Sequence, residues 1–272
     1  MLVSGGMSYI VPDVMEQIQG FGLDGGRIRK LLILHAHFDH VGAVPYLKRT
    51  YPEMEVYASS RAWDLLGTLN VVETINQFSR AVAARMGRAE ACDALDLEWR
   101  GDVFGTPVSD GDRIDLGDLE VQVLETPGHS SCSISAYVPQ LKALFPSDGG
   151  GIPFKDTIIM SGNSNYTHFQ RSLERLLPFE VDYLCADHYG YISGQEARGF
   201  IPQAIERARQ TRAAMEEAYC RTRDVDGAAR ELCDAFFREN PDYILTPAIF
   251  EGVFRQMVRH IAKEMDGRDV SV

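Results

Sequence analysis

The chain has 272 residues, 45% of them hydrophobic and 24% charged, and a formal net charge of −12. That length buries a sizeable core without cross-links, and the composition excludes a disordered or collagen-like chain. The acidic balance argues against nucleic acid as a partner, because phosphate recognition relies on clustered Lys and Arg, and no apolar run long enough for a membrane span is present.

In chain order, residues 1–17 lack the basic, then apolar, then small-residue pattern of a secretion signal. Lys30–Leu34 is a short, mostly apolar run and predicts a strand covered on both faces. A histidine-rich stretch follows, then a short helix over Val41–Lys48 and a strand over Glu55–Ala58, which together make a β-α-β unit of a layered α/β fold. From Arg61 to Glu90 the apolar residues Leu65, Leu66, Leu69, Val72, Ile75 and Phe78 fall at helical spacing. Asp110-Gly-Asp112 signals a turn, and strands are predicted over Arg113–Gly117, Leu119–Leu124, Ser133–Val138 and Ala143–Phe145. Asn165–Leu177 reads as a helix capped by Ser164 or Asn165, and Val181–Cys185 as another short strand. Three helices close the chain, Gln195–Arg223, Asp226–Glu239 and Thr246–Met265; the stripe Ile201, Ala204, Ile205 and Ala208 is expected to pack against the rest of the molecule. Five cysteines (Cys92, Cys132, Cys185, Cys220, Cys233) are odd in number and contain no Cys-x-x-Cys pair, so they read as reduced, buried, structural thiols. Together with the N-terminal reading, this predicts a cytoplasmic location.

The chemistry is concentrated in His35-Ala-His-Phe-Asp-His40. Residues two apart on extended backbone project to the same side, so His35 and His37 can share one metal. Asp39 and His40 follow where the chain turns into a helix and can face a second one. Neutral imidazoles with a carboxylate suit zinc, iron or manganese. Three more ligand-type residues follow later predicted strands: His129 in Glu125–Ser130, Asp148 in Pro146–Gly149 and His188 in Ala186–Gly190. Four strand ends that each finish on such a residue form a stronger pattern than any one of them. The other two histidines, His168 and His260, lie in predicted helices, where surface or packing roles are the default; 163–169 can also overhang a pocket.

The order His-x-His-x-Asp-His, Gly-His, Asp, His resembles the metal-binding signature of the metallo-β-lactamase superfamily, over roughly residues 1–194. The resemblance implies an α/β fold, the αββα metallo-β-lactamase sandwich, with residues 195–272 as a C-terminal helical cap. It implies two divalent transition-metal ions, with His35, His37 and His129 on the first, Asp39, His40 and His188 on the second, and Asp148 bridging. It further implies a hydrolase in which a metal-bridging hydroxide attacks an ester-like carbonyl of a small molecule, with Asp39 orienting the nucleophile and taking its proton.

A narrower likeness is carried by Leu2–Met7, Gly42–Leu47, the helical stretch after Arg61 and the C-terminal helices. These are similar to the glyoxalase II and quinolone-signal response proteins, which cleave thioesters. A thiolate leaves without a strong general acid, and none stands out here. Lactonase, phosphodiesterase and β-lactamase activities are the alternatives among hydrolases. Outside them stand an oxidoreductase resembling the single-iron persulfide dioxygenases and a regulatory protein acting through a partner surface on its C-terminal helices. Tyr189, His168, Phe250 and Phe254 are candidate substrate contacts, the last two beside Tyr243 and Ile244; packing or a homodimer interface is the other use of these helices.

The chain departs from the family pattern in three respects. Ser4 stands where an acid is usual, and the chain begins where a full-length member would already have completed its first strands, so that either the start is misplaced or the first sheet closes differently. Ser147 and Asp187-His188-Tyr189 replace a Gly before the bridging Asp and a Gly-His-Gly.

Overall fold

Pro12 has no N–H to leave unsatisfied, so it suits the opening turn of helix α1 (Val11–Gly20). Ahead of it, β1 (Leu2–Val3) lies parallel to β2 (Lys30–Leu32), with Leu2 opposite Leu31. A single-turn helix, α2 (Phe38–Val41), and α3 (Val44–Thr50) lead to β3 (Glu55–Ser59), which runs parallel to β2 with Leu31 opposite Val56. Ser59 caps α4 (Ser60–Leu66) by accepting the Ala62 N–H. After α5 (Leu69–Arg85) and α6 (Ala89–Asp93), β4 (Thr106–Val108) completes a parallel sheet in the order β1-β2-β3-β4. Strands β5 (Arg113–Asp115), β6 (Glu120–Glu125) and β7 (Ile134–Val138) pair antiparallel in sequence. These elements form one compact unit, Met1–Glu125 with Cys132–Gln140, in a computed structural model that describes residues 1–269.

Leu31, Ile33, Val41, Val44, Leu47, Met54 and Val56 fill the core of this unit. The stretch expected to be one helix from Arg61 to Glu90 is three, broken at Gly67–Thr68 and again at Gly87, whose φ of 67° ends the helical path. The breaks reset the apolar stripe. Leu66, Val72 and Ile75 are buried, whereas Leu69 is 77% exposed and Phe78 lies on the surface, its ring stacked on Phe38 at 5.4 Å.

The second unit is Thr126–Ser131 with the chain from Leu141 onward. It comprises β8 (Ala143–Phe145), the hairpin β9 (Ile152–Phe154) and β10 (Thr157–Ile159), α7 (Tyr166–Leu176), β11 (Tyr183–Cys185) and β12 (Tyr191–Ser193). β8 and β11 are parallel, and β11 and β12 antiparallel. Asn165 caps α7 as expected, accepting the His168 N–H. The three closing helices are α8 (Gly194–Thr222), α9 (Val225–Glu239) and α10 (Pro247–Asp269), which pack on one another. The α8 stripe Ile201, Ala204, Ile205 and Ala208 is buried, which fits its expected packing role. All five cysteines stand outside any disulfide; Cys132 and Cys233 are buried, but Cys220 is exposed, against the expectation of a wholly buried set. No helix among the described residues is long and apolar enough to cross a membrane.

Arg212 on α8 ties α7 to α10. It donates to Thr167, Gln170, Glu216 and Glu264, while Thr167 donates to Glu264 at 2.6 Å. Burial acts to raise the Glu264 carboxyl, but the hydrogen bonds from Thr167 and Arg212 and the Arg212 charge outweigh it and hold the group below its ordinary value near 4.5. A carboxyl depressed on folding stabilises the fold above its unfolded pKa, and that gain is lost as pH falls through the folded value. Glu264→Gln is therefore expected to cost about 1–2 kcal/mol at neutral pH. The gap from the unsubstituted protein should narrow as pH falls through the lowered folded-state pKa, as urea melts at neutral and at acid pH would measure.

Candidate metal centre

In the first unit, four candidate residues leave the end of β2 together. Ile33 prolongs the strand by donating to the Tyr57 carbonyl (2.8 Å), the Leu34 carbonyl accepts from Ile134 (2.9 Å), and the Ala36 N–H reaches the buried Cys132 Sγ (3.4 Å). His37 is extended and caps α2, so the chain turns at that point and carries Asp39 and His40 round. A four-residue helix cannot hold itself. Backbone ties hold it instead: Gly5 N–H to the His40 carbonyl (2.7 Å), Gly42 N–H to Gly6 (2.8 Å), and the Trp99 ring N–H to Val41 (3.0 Å). The approach at Gly5 is so close that a Cβ there would lie 2.8 Å from the His40 carbonyl oxygen. The outcome is a tight group: His35 Nε2 to His37 Nδ1 3.1 Å, His40 Nε2 to Asp39 Oδ2 3.4 Å, and the His35 and His40 rings 4.0 Å apart. Ser4, where the family pattern has an acid, brings its hydroxyl to 3.5 Å from His40 Nδ1.

In the second unit, His129 stands in a loop pinned by α7. Ser164 and Asn165 N–H groups donate to the Gly128 carbonyl at 3.0 Å, and the Ser172 hydroxyl donates to Pro127 at 2.7 Å. Gly128 has φ 138°, and a Cβ on it would lie 2.2 Å from the Phe169 nitrogen. His129 Nδ1 lies 2.7 Å from the Ser161 carbonyl, which can only accept; this fixes the proton on Nδ1 and leaves the lone pair on Nε2. Nε2 faces Asp148 Oδ2 at 3.4 Å, and the other oxygen of the same carboxylate faces His188 Nε2 at 3.5 Å.

These spacings test the site for a cation. Two ligands about 2.1 Å from a tetrahedral ion stand about 3.4 Å apart. The neighbouring candidate donor atoms in both units, at 3.1 to 3.5 Å, match that spacing and are mostly longer than good hydrogen bonds. With buried imidazoles and a buried carboxylate as donors, the residues fit transition-metal ions.

Two further departures from the family pattern meet here. Ser147 has φ 53° and ψ −164°, backbone space that is nearly exclusive to glycine and costs another residue roughly 1–3 kcal/mol. Its hydroxyl donates to Asp187 Oδ2 at 2.8 Å. Tyr189, at φ 64°, is exposed beside His188, with its ring 5.4 Å from Phe154.

The other candidate substrate contacts differ in setting. His168 is exposed on α7. Phe250 and Phe254 are buried, and their rings cluster with Phe236, Phe237 and Tyr243, Phe250 lying 4.4 Å from Phe236. His260 is packed against Thr167 and Glu264, the role expected of it. The sequence reading missed Ser161, Trp99 and Gly128's contact with Phe169. Trp99 offered a slight signal, because a buried indole N–H needs an acceptor; Ser161 offered none.

A family model described as the metallo-beta-lactamase superfamily matches residues 2–188. The chain belongs to the metallo-β-lactamase superfamily. Solved structures of the superfamily share the fold: a family protein of Thermus thermophilus superposes with a TM-score of 0.64 at 18% identity, covering 97% of this chain and 84% of that one. An archaeal superfamily protein of Sulfolobus tokodaii gives 0.55 at 20% identity, covering 75% and 74%. Superfamily relatives named hydroxyacylglutathione hydrolase include one from Legionella pneumophila (strain Paris), 26% identical over 167 residues, 60% of this chain and 49% of that protein. Another, from Rhodopseudomonas palustris (strain HaA2), is 29% identical over 158 residues, 56% and 48%. The chain thus spans about half the length of these curated relatives.

The Gly128 contact is testable. Gly128→Ala combines a left-handed φ with a backbone clash and is expected to cost more than about 2 kcal/mol and to strip bound metal. Gly117→Ala, with φ 90° but open space around it, carries the strain alone and should keep its metal. Thermal melts and metal analysis of both variants compare the two effects.

Proposed function

We propose that the two clusters combine into one binuclear centre, and that the chain is a metal-dependent hydrolase of an ester-like bond, a thioester first among the candidates. The observation that carries this reading is Asp148: its two carboxylate oxygens face two different imidazoles, His129 and His188, at 3.4 and 3.5 Å, a placement that lets one carboxylate serve two ions. In this reading His35, His37 and His129 would hold one ion, Asp39, His40 and His188 would hold the other, and Asp148 would serve both. Membership of the superfamily and the hydroxyacylglutathione hydrolase relatives support it.

Bound divalent ions, zinc or iron with manganese as a third choice, would supply Lewis acidity toward a carbonyl and toward water. The protein's own residues do the rest. Ser161 holds the His129 ring in the tautomer that offers Nε2. Asp39, half-buried 3.4 Å from His40, accepts and relays the proton released by the attacking water. The leaving thiolate needs little protonation. Tyr189, beside His188 and packed on Phe154, presents an apolar ring to the small-molecule substrate, and the closing helices α8, α9 and α10 act as the cap over it.

Elemental analysis of the metal-saturated chain is expected to give two ions, and turnover should be highest on thioesters among thioester, lactone and phosphodiester substrates. Asp148→Ala should lower both metal content and turnover, the latter by at least about 100-fold, more than is typical for an outer partner of a ligand. One ion per chain, or an unchanged rate for the variant, would contradict the reading. Oxygen consumption with a thiol persulfide would move the chain to the oxidoreductases.

A further inference from the structure

The residues immediately before two of the ligands are bonded to each other. Ser147 precedes Asp148 at the end of β8, and Asp187 precedes His188 at the end of β11. β8 and β11 are parallel neighbours, with Leu144 opposite Leu184, so the two ligand-bearing chain ends emerge side by side. There the Ser147 hydroxyl donates to Asp187 Oδ2 at 2.8 Å, while Asp148 Oδ1 and His188 Nε2 stand 3.5 Å apart.

The backbone makes this contact against its local preference. Ser147 is 2% exposed and occupies glycine space at φ 53°, ψ −164°. A glycine would adopt that conformation at no steric cost, but it would bring no hydroxyl. Tyr189, on the far side of His188, is also left-handed, at φ 64°. The two ligands therefore sit on backbone that is bent beside each of them, and a bend of that kind fixes a direction only when something holds it. The Ser147–Asp187 hydrogen bond joins the two chain ends directly.

We propose that Ser147 and Asp187 are positioning residues: their hydrogen bond clamps the two strand ends and sets the separation of Asp148 and His188, and so the affinity for the ion those two share. This rests on the reading of Asp148 and His188 as metal ligands. The clamp acts through acceptance of a hydrogen bond, so the Asp187 charge is dispensable, and the clamp is maintained against the stability of the fold.

Both properties can be measured on the full chain with zinc alone as the probe, by chelator competition and thermal melting of the metal-free protein. Ser147→Gly relieves the strain and removes the hydroxyl. It is expected to melt at the same or a higher temperature than the unsubstituted chain, yet to bind the zinc shared by Asp148 and His188 about 10- to 100-fold less tightly, the range for loss of an outer partner. Asp187→Ala should show the same loss of affinity. Asp187→Asn keeps an acceptor oxygen and should remain within about threefold of the unsubstituted chain. A residue that merely packs would move affinity and melting temperature in the same direction.

Two results would overturn the clamp: Ser147→Gly binding zinc as tightly as the parent, or Asp187→Asn failing as badly as Asp187→Ala, which would make the charge the active property. The parent and Asp148→Ala serve as references. A parent that binds no zinc, or an Asp148→Ala variant that binds it normally, would refute the ligand assignment itself, so the two failures are told apart.

Discussion

An imidazole can give one nitrogen to a cation reliably only when its other nitrogen is held. For His129 that hold is the 2.7 Å contact from Nδ1 to the Ser161 carbonyl, and much of the second unit is arranged so that it can form. The loop must lie flat on α7, which forbids a side chain at Gly128 because Phe169 backbone atoms occupy the space. Helix α7 must begin at Asn165, whose side chain caps it while its own N–H serves the Gly128 carbonyl. The same helix is tied through Thr167 to Arg212 and Glu264, so α8 and α10 brace the element on which the His129 loop rests. The orientation of His129 is in this way carried by contacts tens of residues away in sequence.

The first unit meets the same demand by different means. His37, Asp39 and His40 stand at a strand end and on one turn of helix, a piece too short to be stable alone. Its carbonyls and N–H groups are taken up by Gly5, Gly6 and Trp99, and its entry by the Cys132 sulfur. Cys132 thus has a structural task, since its carbonyl also accepts from the Ser59 hydroxyl.

The legible parts of the sequence were those whose signal is local. The spacing in His35–His40 follows from the two-residue period of extended chain, and the flanking apolar run Lys30–Leu34 located it at a strand end, although the paired strand stops at Leu32. Asn165 could be read as a cap, and the three closing helices from their periodicity. Elements that carry a contrary signal were missed. Thr106-Pro-Val108 contains a proline, which is tolerated because β4 lies at the edge of its sheet. The β9–β10 hairpin turns through Lys155 at φ 51° in place of the usual Asn-Gly or Gly. Helix α1 is a different case: Pro12 and the spacing of Val11 and Ile18 are a local signal in its favour, though a short one. Ser161, Trp99 and Phe169 act at long range in the sequence, where no periodicity records them.

Crystals of the zinc-loaded protein, examined by anomalous scattering at the zinc edge, test the central claim most directly. The account predicts two peaks per chain about 3.5–4 Å apart, one among His35, His37 and His129, the other among Asp39, His40 and His188, with an Asp148 oxygen on each. A single peak, or two peaks that do not share Asp148, would contradict it.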